Sequence, residues 1–264
     1  MKRWVKVVVV IIAAIVVVGF AAMAVGFSYS PIGKELDEKF IVANPFDLSQ
    51  ILAFSQYRSC AGHDFRDPSA ETGKRESSPR SMKHYVKVKP EFRGTISEVL
   101  AFAPFDGVIS VIDEDLGNPQ DQQIWLTPET RSPRQWHFIF FHINLDPSLH
   151  KGSRITAGQK IGTANLARGP DRATDNFDIA MKFTRPLHRP AVDAPFEHFT
   201  PQVLAEYERR GVIMSDLIIP EKLRDAKPCP LLPKGVGGDG PDLYFPPEAG
   251  SDEYVFLKKS LYEN

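Results

Sequence analysis

The chain has 264 residues and a formal net charge of −1, with 32 Lys and Arg residues balanced by 33 Asp and Glu residues. This length accommodates one β-rich domain with additions, or two small domains. Because the charge balance predicts no strongly basic face, we expect no nucleic-acid partner, and a cell-envelope polymer, a peptide or a protein stays open as the partner.

The N-terminus carries a membrane signal. Lys2, Arg3 and Lys6 precede an uncharged run over residues 7–27. At ~1.5 Å rise per residue this run forms a helix about 30 Å long, enough to cross the hydrocarbon core of a bilayer. The basic residues predict a cytoplasmic N-terminus and an exported C-terminal part. Small residues in "AAMAVGFS" leave open the alternative of a cleaved signal peptide and a secreted protein.

Composition divides the chain into four parts. They are a cytoplasmic tip and transmembrane anchor (1–27), a stalk (28–50), a β domain (51–186) and a helical, Pro- and Gly-rich C-terminal extension (187–264). The polar stretch "DFRDPSAETGKRESSPRS" inside the β domain has no apolar periodicity and is predicted to be a loop.

The β domain is predicted from short segments rich in β-branched and aromatic residues that Gly, Pro, Asn or Asp separate. In chain order they are HYVKVKP, GTISEVLAF, DGVISVI, QQIWL, QWHFIFFHINL, RITAGQKIGTA and NFDIAMKF. Such spacing indicates a mainly β protein, an antiparallel β-sandwich or barrel.

The C-terminal extension is predicted to begin with a helix. "TPQVLAEYERRG" has Thr200 at the cap, Pro201 in the first turn and Gly211 at the end. "SDLIIPEKLRDA" is predicted to be a second short helix, or a strand followed by a helix. The Pro- and Gly-rich residues 227–250 are predicted to form a loosely ordered strap, tied down by Cys229.

The chain has two cysteines, Cys60 and Cys229. Outside the cytoplasm two thiols often pair, and the long loop that this disulfide would close allows a stabilisation of ~5 kcal/mol in the loop-entropy model. If they do not pair, Cys60 is a candidate metal ligand or reactive thiol, or an inert cysteine. A disulfide excludes metal binding by Cys60.

Several motifs in the β domain belong together. They are Ala103-Pro104-Phe105-Asp106-Gly107, Phe140-Phe141-His142-Ile143, Lys151-Gly152, Gly158-Gln159 and Ile161-Gly162. With these motifs, the stretch from about residue 58 to 183 resembles the lysostaphin/LytM-like zinc endopeptidases. The resemblance implies a duplicated hybrid motif, a small antiparallel β-sandwich.

The resemblance also implies a tetrahedral zinc site, with ligands from a first His, an Asp and the second His of a His-x-His motif. In this chain Asp64 matches the Asp, whereas Cys60 stands where the first His would be. Thr174 and Asn176 replace the two histidines of His-x-His, and His142 matches a catalytic His. The metal motifs are therefore degenerate, since a neutral Asn amide is a poor zinc ligand.

A rearranged site can still be composed from the remaining residues. The candidate metal ligands are Asp64, Cys60, His63 and Asp178, and the candidate catalytic residues are His142 and His84. Because neighbouring residues on a strand point to opposite faces, we expect Asp64 to face the site and His63 to point away. The plainer alternatives are a core role for His142, a solvated strand start for "SMKHYV" and a solvated carboxylate for Asp178.

Three functions are compatible with this interpretation of the sequence. The first is a membrane-anchored extracytoplasmic protein that binds a peptide, a cell-envelope polymer or a partner protein through a peptidase-like fold. The second is an active zinc metalloendopeptidase with a rearranged ligand set. The third is a hybrid-barrel carrier or assembly module, although no Lys stands at the hairpin tip that a carrier needs.

Overall fold

The computed structural model describes residues 3–26, 32–114, 117–129, 135–167, 173–186, 188–236 and 243–258. In these ranges the protein is mainly β, as predicted, with eleven strands and three α-helices. The strands are β1 (Ile51–Ser55), β2 (His84–Val88), β3 (Leu100–Phe102), β4 (Gly107–Glu114), β5 (Gln122–Pro128), β6 (Gln135–Leu145), β7 (Arg154–Ile155), β8 (Lys160–Ala164), β9 (Asn176–Thr184), β10 (Ala191–Asp193) and β11 (Tyr254–Phe256). The helices are α1 (Arg3–Gly26), α2 (Pro201–Glu208) and α3 (Glu221–Ala226).

The strands form one open sheet in the order β11-β1-β2-β9-β6-β5-β4-β7. Strand β10 pairs with β9, and β8 pairs with both β3 and β6. Every one of these pairings is antiparallel. Strand β9 is central, with β2 on one side and β6 on the other, so side chains that leave these three strands on one face lie next to each other.

The turn before β4 explains the Ala-Pro-x-Asp-Gly motif. A Cβ atom at Gly107 would lie 2.3 Å from the carbonyl oxygen of Thr127 on β5. Any side chain there would force the two strands apart, so the position requires glycine.

The core lies on the other face of the central strands from the polar groups described below. Phe54, Phe138, Phe140 and Phe177 are completely buried and belong to one hydrophobic cluster. Buried and half-buried residues alternate along β5, the pattern of a strand with one face toward the core, whereas β9 is buried over five consecutive residues at the centre of the sheet.

Both flanking parts contribute to this domain. The segment predicted as a stalk buries Ile32, Ile41 and Phe46 in the core. The C-terminal extension supplies β11, which pairs with β1. Among the described residues, no helix combines the length and the apolar character needed to cross a membrane.

Several local predictions are refined by the structure. Of "GTISEVLAF" only Leu100–Phe102 is a strand, and "SDLIIPEKLRDA" forms a 3-10 turn over Met214–Leu217 followed by α3. Thr200 precedes α2 as predicted, but its side chain makes no capping hydrogen bond. Gly211 has a φ of +76°, the left-handed conformation that glycine favours after a helix.

Candidate functional site

The sheet is irregular at His142. Between β5 and β6, Gln122 pairs with Ile143 but Ile124 pairs with Phe140, so β6 has one extra residue at this point. His142 itself has a φ of +61°. This conformation is uncommon for a residue other than glycine and is found where a β-bulge redirects a side chain, often beside a functional site.

The bulge changes which side chains of β6 share a face. Phe141 pairs directly with Asp178 of β9. The His142 imidazole also reaches Asp178, with 3.6 Å between Nε2 and Oδ1. Phe141 and His142 therefore both point to the Asp178 side, whereas Phe140 is completely buried in the core. Regular strand alternation would instead place Phe140 and His142 on one face.

Asp121 holds the other edge of the imidazole. The Nδ1–H of His142 donates a hydrogen bond of 2.8 Å to Oδ1 of Asp121, the residue just before β5. The Asp121 side chain is 5% exposed and the His142 side chain 21% exposed. The ring is thus fixed by a carboxylate at its back, with a partly accessible front edge.

Lys83 lies on the opposite side of Asp178. Its ammonium donates a hydrogen bond of 2.8 Å to Oδ2 of Asp178, and both side chains are at least 95% buried. The same Nζ lies 3.2 Å from Nε2 of His63 and 3.8 Å from the centre of the Phe141 ring. Charge, hydrogen bonds and an aromatic face together compensate the desolvation of this ammonium.

We refer to His63, Lys83, Asp121, His142 and Asp178 as the charged cluster. It contains two carboxylates, one ammonium and two imidazoles on five different chain segments. Such a group can hold protons and donate or accept hydrogen bonds at its accessible edge.

The structure reverses the expected roles of two adjacent residues. His63 belongs to the charged cluster, whereas Asp64 is bound by Arg66, whose Nε and Nη2 atoms each donate a hydrogen bond of 2.7 Å to its carboxylate. The backbone N–H of Arg80 donates a third. The expectation that Asp64 faces the site and His63 points away is therefore wrong, because two neighbouring arginines lie on the Asp64 side.

Cys60 and Cys229 form a disulfide, with 5.3 Å between their Cα atoms. Of the alternatives for Cys60, the structure has the disulfide. In this state the sulfur cannot be a thiolate ligand, so Cys60 and Asp64 are both engaged away from the charged cluster.

His84 also lies away from the cluster. It is completely buried, its Nδ1–H donates a hydrogen bond of 2.7 Å to the Ser55 carbonyl oxygen, and its ring packs edge-on against Phe196. Burial disfavours the imidazolium and lowers the pKa of His84 to about 4. The catalytic role suggested for His84 has no geometric basis here, because the side chain points into the apolar core.

Of the six predicted site residues, the structure brings His63, His142 and Asp178 together. Within the described ranges, no three His, Cys, Asp or Glu side chains are grouped as ligands for one metal ion. The predicted site residues include neither Lys83, for which a solvated strand start was the favoured interpretation, nor Asp121. Lys83 directly precedes β2, and the rule that neighbouring residues of an extended chain point to opposite faces is a signal that could have separated it from His84.

The chain matches no protein-family model, no curated protein and no solved structure.

Proposed function

We propose that this protein is an extracytoplasmic, membrane-anchored binding protein with a LytM-like, duplicated hybrid motif domain, and that its charged cluster binds a peptide-bearing cell-envelope polymer without hydrolysing it. One observation carries the proposal. The ammonium of Lys83 occupies the space between His63 and Asp178, the position that a divalent cation bound by these two residues would need.

An ammonium and a divalent cation exclude each other at this position. Two like charges a few ångströms apart in a poorly solvated site repel by several kcal/mol, roughly 4 kcal/mol at 4 Å for two unit charges at an effective dielectric constant of 20. Asp178 is already neutralised by Lys83. With Cys60 oxidised and Asp64 bound to Arg66, the positive charge beside Asp178 comes from the chain's own lysine.

The accessible edge of the cluster favours a ligand with both polar and apolar groups. Phe65, Phe141 and Tyr244 are half-buried around His63 and His142. The Phe65 ring packs edge-on against Phe141, and Tyr244 lies against His63. Aromatic side chains supply contact area and the imidazoles supply hydrogen bonds, a combination that suits peptide groups.

Two features support the cellular location. Disulfides such as Cys60–Cys229 persist in oxidising compartments outside the cytoplasm. The N-terminal helix exposes apolar side chains, including Val10, Ile15 and Phe20. We propose that the apolar run over residues 7–27 holds the protein at a membrane, which resistance of the full chain to alkaline extraction from membranes would test.

The binding proposal is tested by co-sedimentation of the full chain, in mild detergent, with purified peptidoglycan. We expect the protein to sediment with the polymer, His142→Ala to weaken binding at least tenfold, and the exposed control His150→Ala to leave it unchanged. The polymer should stay intact with and without added zinc. Zinc-dependent release of soluble peptides would instead establish the hydrolase, and a failure to sediment would contradict the binding proposal.

A further inference from the structure

A cleft of about 480 Å³ lies next to the start of β5, outside the charged cluster. Its lining combines the carboxamides of Gln122 and Asn144, the charged side chains of Asp146 and Lys160, and the apolar side chain of Leu149. Clefts of this size accommodate small organic ligands, and a few convergent polar groups on an apolar wall are typical of binding sites.

The two carboxamides lie on neighbouring strands. Gln122 of β5 pairs with Ile143 of β6, the residue before Asn144. The Oε1 atom of Gln122 is shielded from solvent and accepts no hydrogen bond from the described residues. Since buried acceptors nearly always have a donor, this one points to a partner outside the part of the chain that the structure describes. The terminal torsion of a glutamine is broad, so its carboxamide can turn toward a ligand in the cleft.

The two charged groups of the cleft have opposite signs. The hydroxyl and the backbone N–H of Ser148 donate to Asp146 and hold the pKa of its carboxyl below the usual range, so this group is a carboxylate at neutral pH. Lys160 is exposed and close enough to act on Asp146. The cleft therefore offers one anion, one cation and two amide groups.

We propose that this cleft binds a short peptide with free termini. The ammonium of the peptide pairs with Asp146 and its carboxylate with Lys160, while a peptide group between them exchanges hydrogen bonds with Gln122 and Asn144. Carboxamides suit a peptide group because each has both donors and an acceptor. The choice of a peptide rests on the proposed function, whereas the position and the preference for free termini come from the cleft itself.

The probe is trialanine, titrated into the full chain in detergent by isothermal calorimetry. N-acetyl-trialanine and trialanine amide are the matched ligands that each lack one charge. We expect trialanine to bind, and each blocked form to bind at least tenfold more weakly because one charge of the cleft is left without its partner.

Two variants locate the binding. Lys160→Met should reduce trialanine affinity to that of the amide and leave the affinity for the amide unchanged, whereas Lys151→Met on a neighbouring exposed turn should have no effect. Gln122→Leu should weaken the binding of all three ligands without lowering the melting temperature of the free protein, because its Oε1 accepts no hydrogen bond from any described residue.

The results separate this inference from the proposed function. The cleft proposal is overturned if trialanine does not bind at millimolar concentration, or if Gln122→Leu and Lys160→Met leave its affinity unchanged. Either result stands even if the protein sediments with peptidoglycan. Trialanine binding that depends on both residues supports the cleft, even where His142→Ala leaves sedimentation unchanged and the proposed role of the charged cluster fails.

Discussion

Lys83 and His84 are neighbours in sequence, yet they enter opposite surroundings. Lys83 extends to Asp178, His63 and the ring of Phe141. His84 extends into the core, where its ring packs against Phe196 and its Nδ1–H donates a hydrogen bond to a backbone carbonyl oxygen. Both side chains are buried, but Lys83 is paired with a carboxylate and His84 with a neutral carbonyl group.

This comparison shows how partners decide the charge of a buried group. Burial without an opposite charge disfavours the charged form, so the pKa of His84 falls to about 4 and its ring is neutral at pH 7. The ammonium of Lys83 lies at 2.8 Å from a carboxylate, which offsets the desolvation of both groups. One face of the sheet is therefore an apolar core, and the other holds paired charges next to a partly accessible imidazole.

The largest expected effect comes from removing the paired cation. Lys83→Met should lower the free energy of unfolding by about 3–5 kcal/mol, because it leaves the Asp178 carboxylate buried without its main partner. Urea denaturation of the full chain at pH 7 measures this loss. The double variant Lys83→Met, Asp178→Leu should recover much of it, and a single variant within about 1 kcal/mol of the parent would contradict the pairing.

The neutral histidine predicts a pH dependence on the other face. An unfolded histidine has a pKa near 6.5 and His84 has about 4, so unfolding takes up a proton between these values and stability falls as the pH drops through this window. The full shift corresponds to roughly 3 kcal/mol. His84→Gln keeps a donor for the Ser55 carbonyl oxygen but cannot be protonated. The free energy of unfolding of this variant should therefore change less between pH 4 and 6.5 than that of the parent.

That measurement is made as a difference between the variant and the parent. Burial and the neighbouring Asp193 raise the pKa of Glu197 to about 7. A raised carboxyl pKa stabilises the fold at low pH, and this stabilisation is lost as the pH rises toward 7, a dependence opposite in sign to that of His84. If the free energy of unfolding changes with pH equally in His84→Gln and in the parent between pH 4 and 6.5, the conclusion that His84 is buried as a neutral imidazole is wrong.

A smaller effect is expected at the hydrogen bond behind His142. Asp121→Asn keeps the size of the side chain but removes its charge, and should cost about 1–2 kcal/mol of stability. Co-sedimentation with peptidoglycan should weaken in parallel, because the ring is no longer fixed. Full binding by this variant would mean that the orientation of His142 is irrelevant to the ligand.

The smallest effect is expected for a more exposed ion pair on the same sheet. Lys182 lies 2.7 Å from Asp67, with side chains 16% and 37% exposed. Lys182→Met should cost at most about 1 kcal/mol in the same urea experiment. A loss as large as that of Lys83→Met would show that burial does not set the difference between the two lysines.

The comparison also explains what the sequence could predict. Strands such as β2 and β9 follow from alternating apolar residues between Gly, Pro and Asn punctuation. The three-residue strands β10 and β11 carry too few residues for a period to appear, and β11 pairs with β1, about 200 residues earlier. Long-range pairing of this kind leaves no local pattern.

The site was harder to predict for two physical reasons. A bulge at His142 breaks the alternation on which face assignments depend, so neighbouring side chains point the same way. The polar segment around Lys83 is typical of a solvated strand start. Its burial is favourable because Asp178 and Phe141, which are distant in sequence, lie next to its ammonium in the fold. The predicted orientations of His63 and Asp64 were wrong for a related reason. Arg66 and the backbone N–H of Arg80 donate hydrogen bonds to Asp64 on the side away from the charged cluster.

The central claim is that the ammonium of Lys83 takes the place of a metal ion, and a zinc titration tests it most directly. Isothermal calorimetry of the full chain and of Lys83→Ala, both freed of metal, compares the two proteins at pH 7. We predict no stoichiometric zinc binding by the parent, and one zinc per chain bound by Lys83→Ala through His63, Asp178 and His142. Tight binding of one zinc by the parent, with no gain in the variant, would contradict the account.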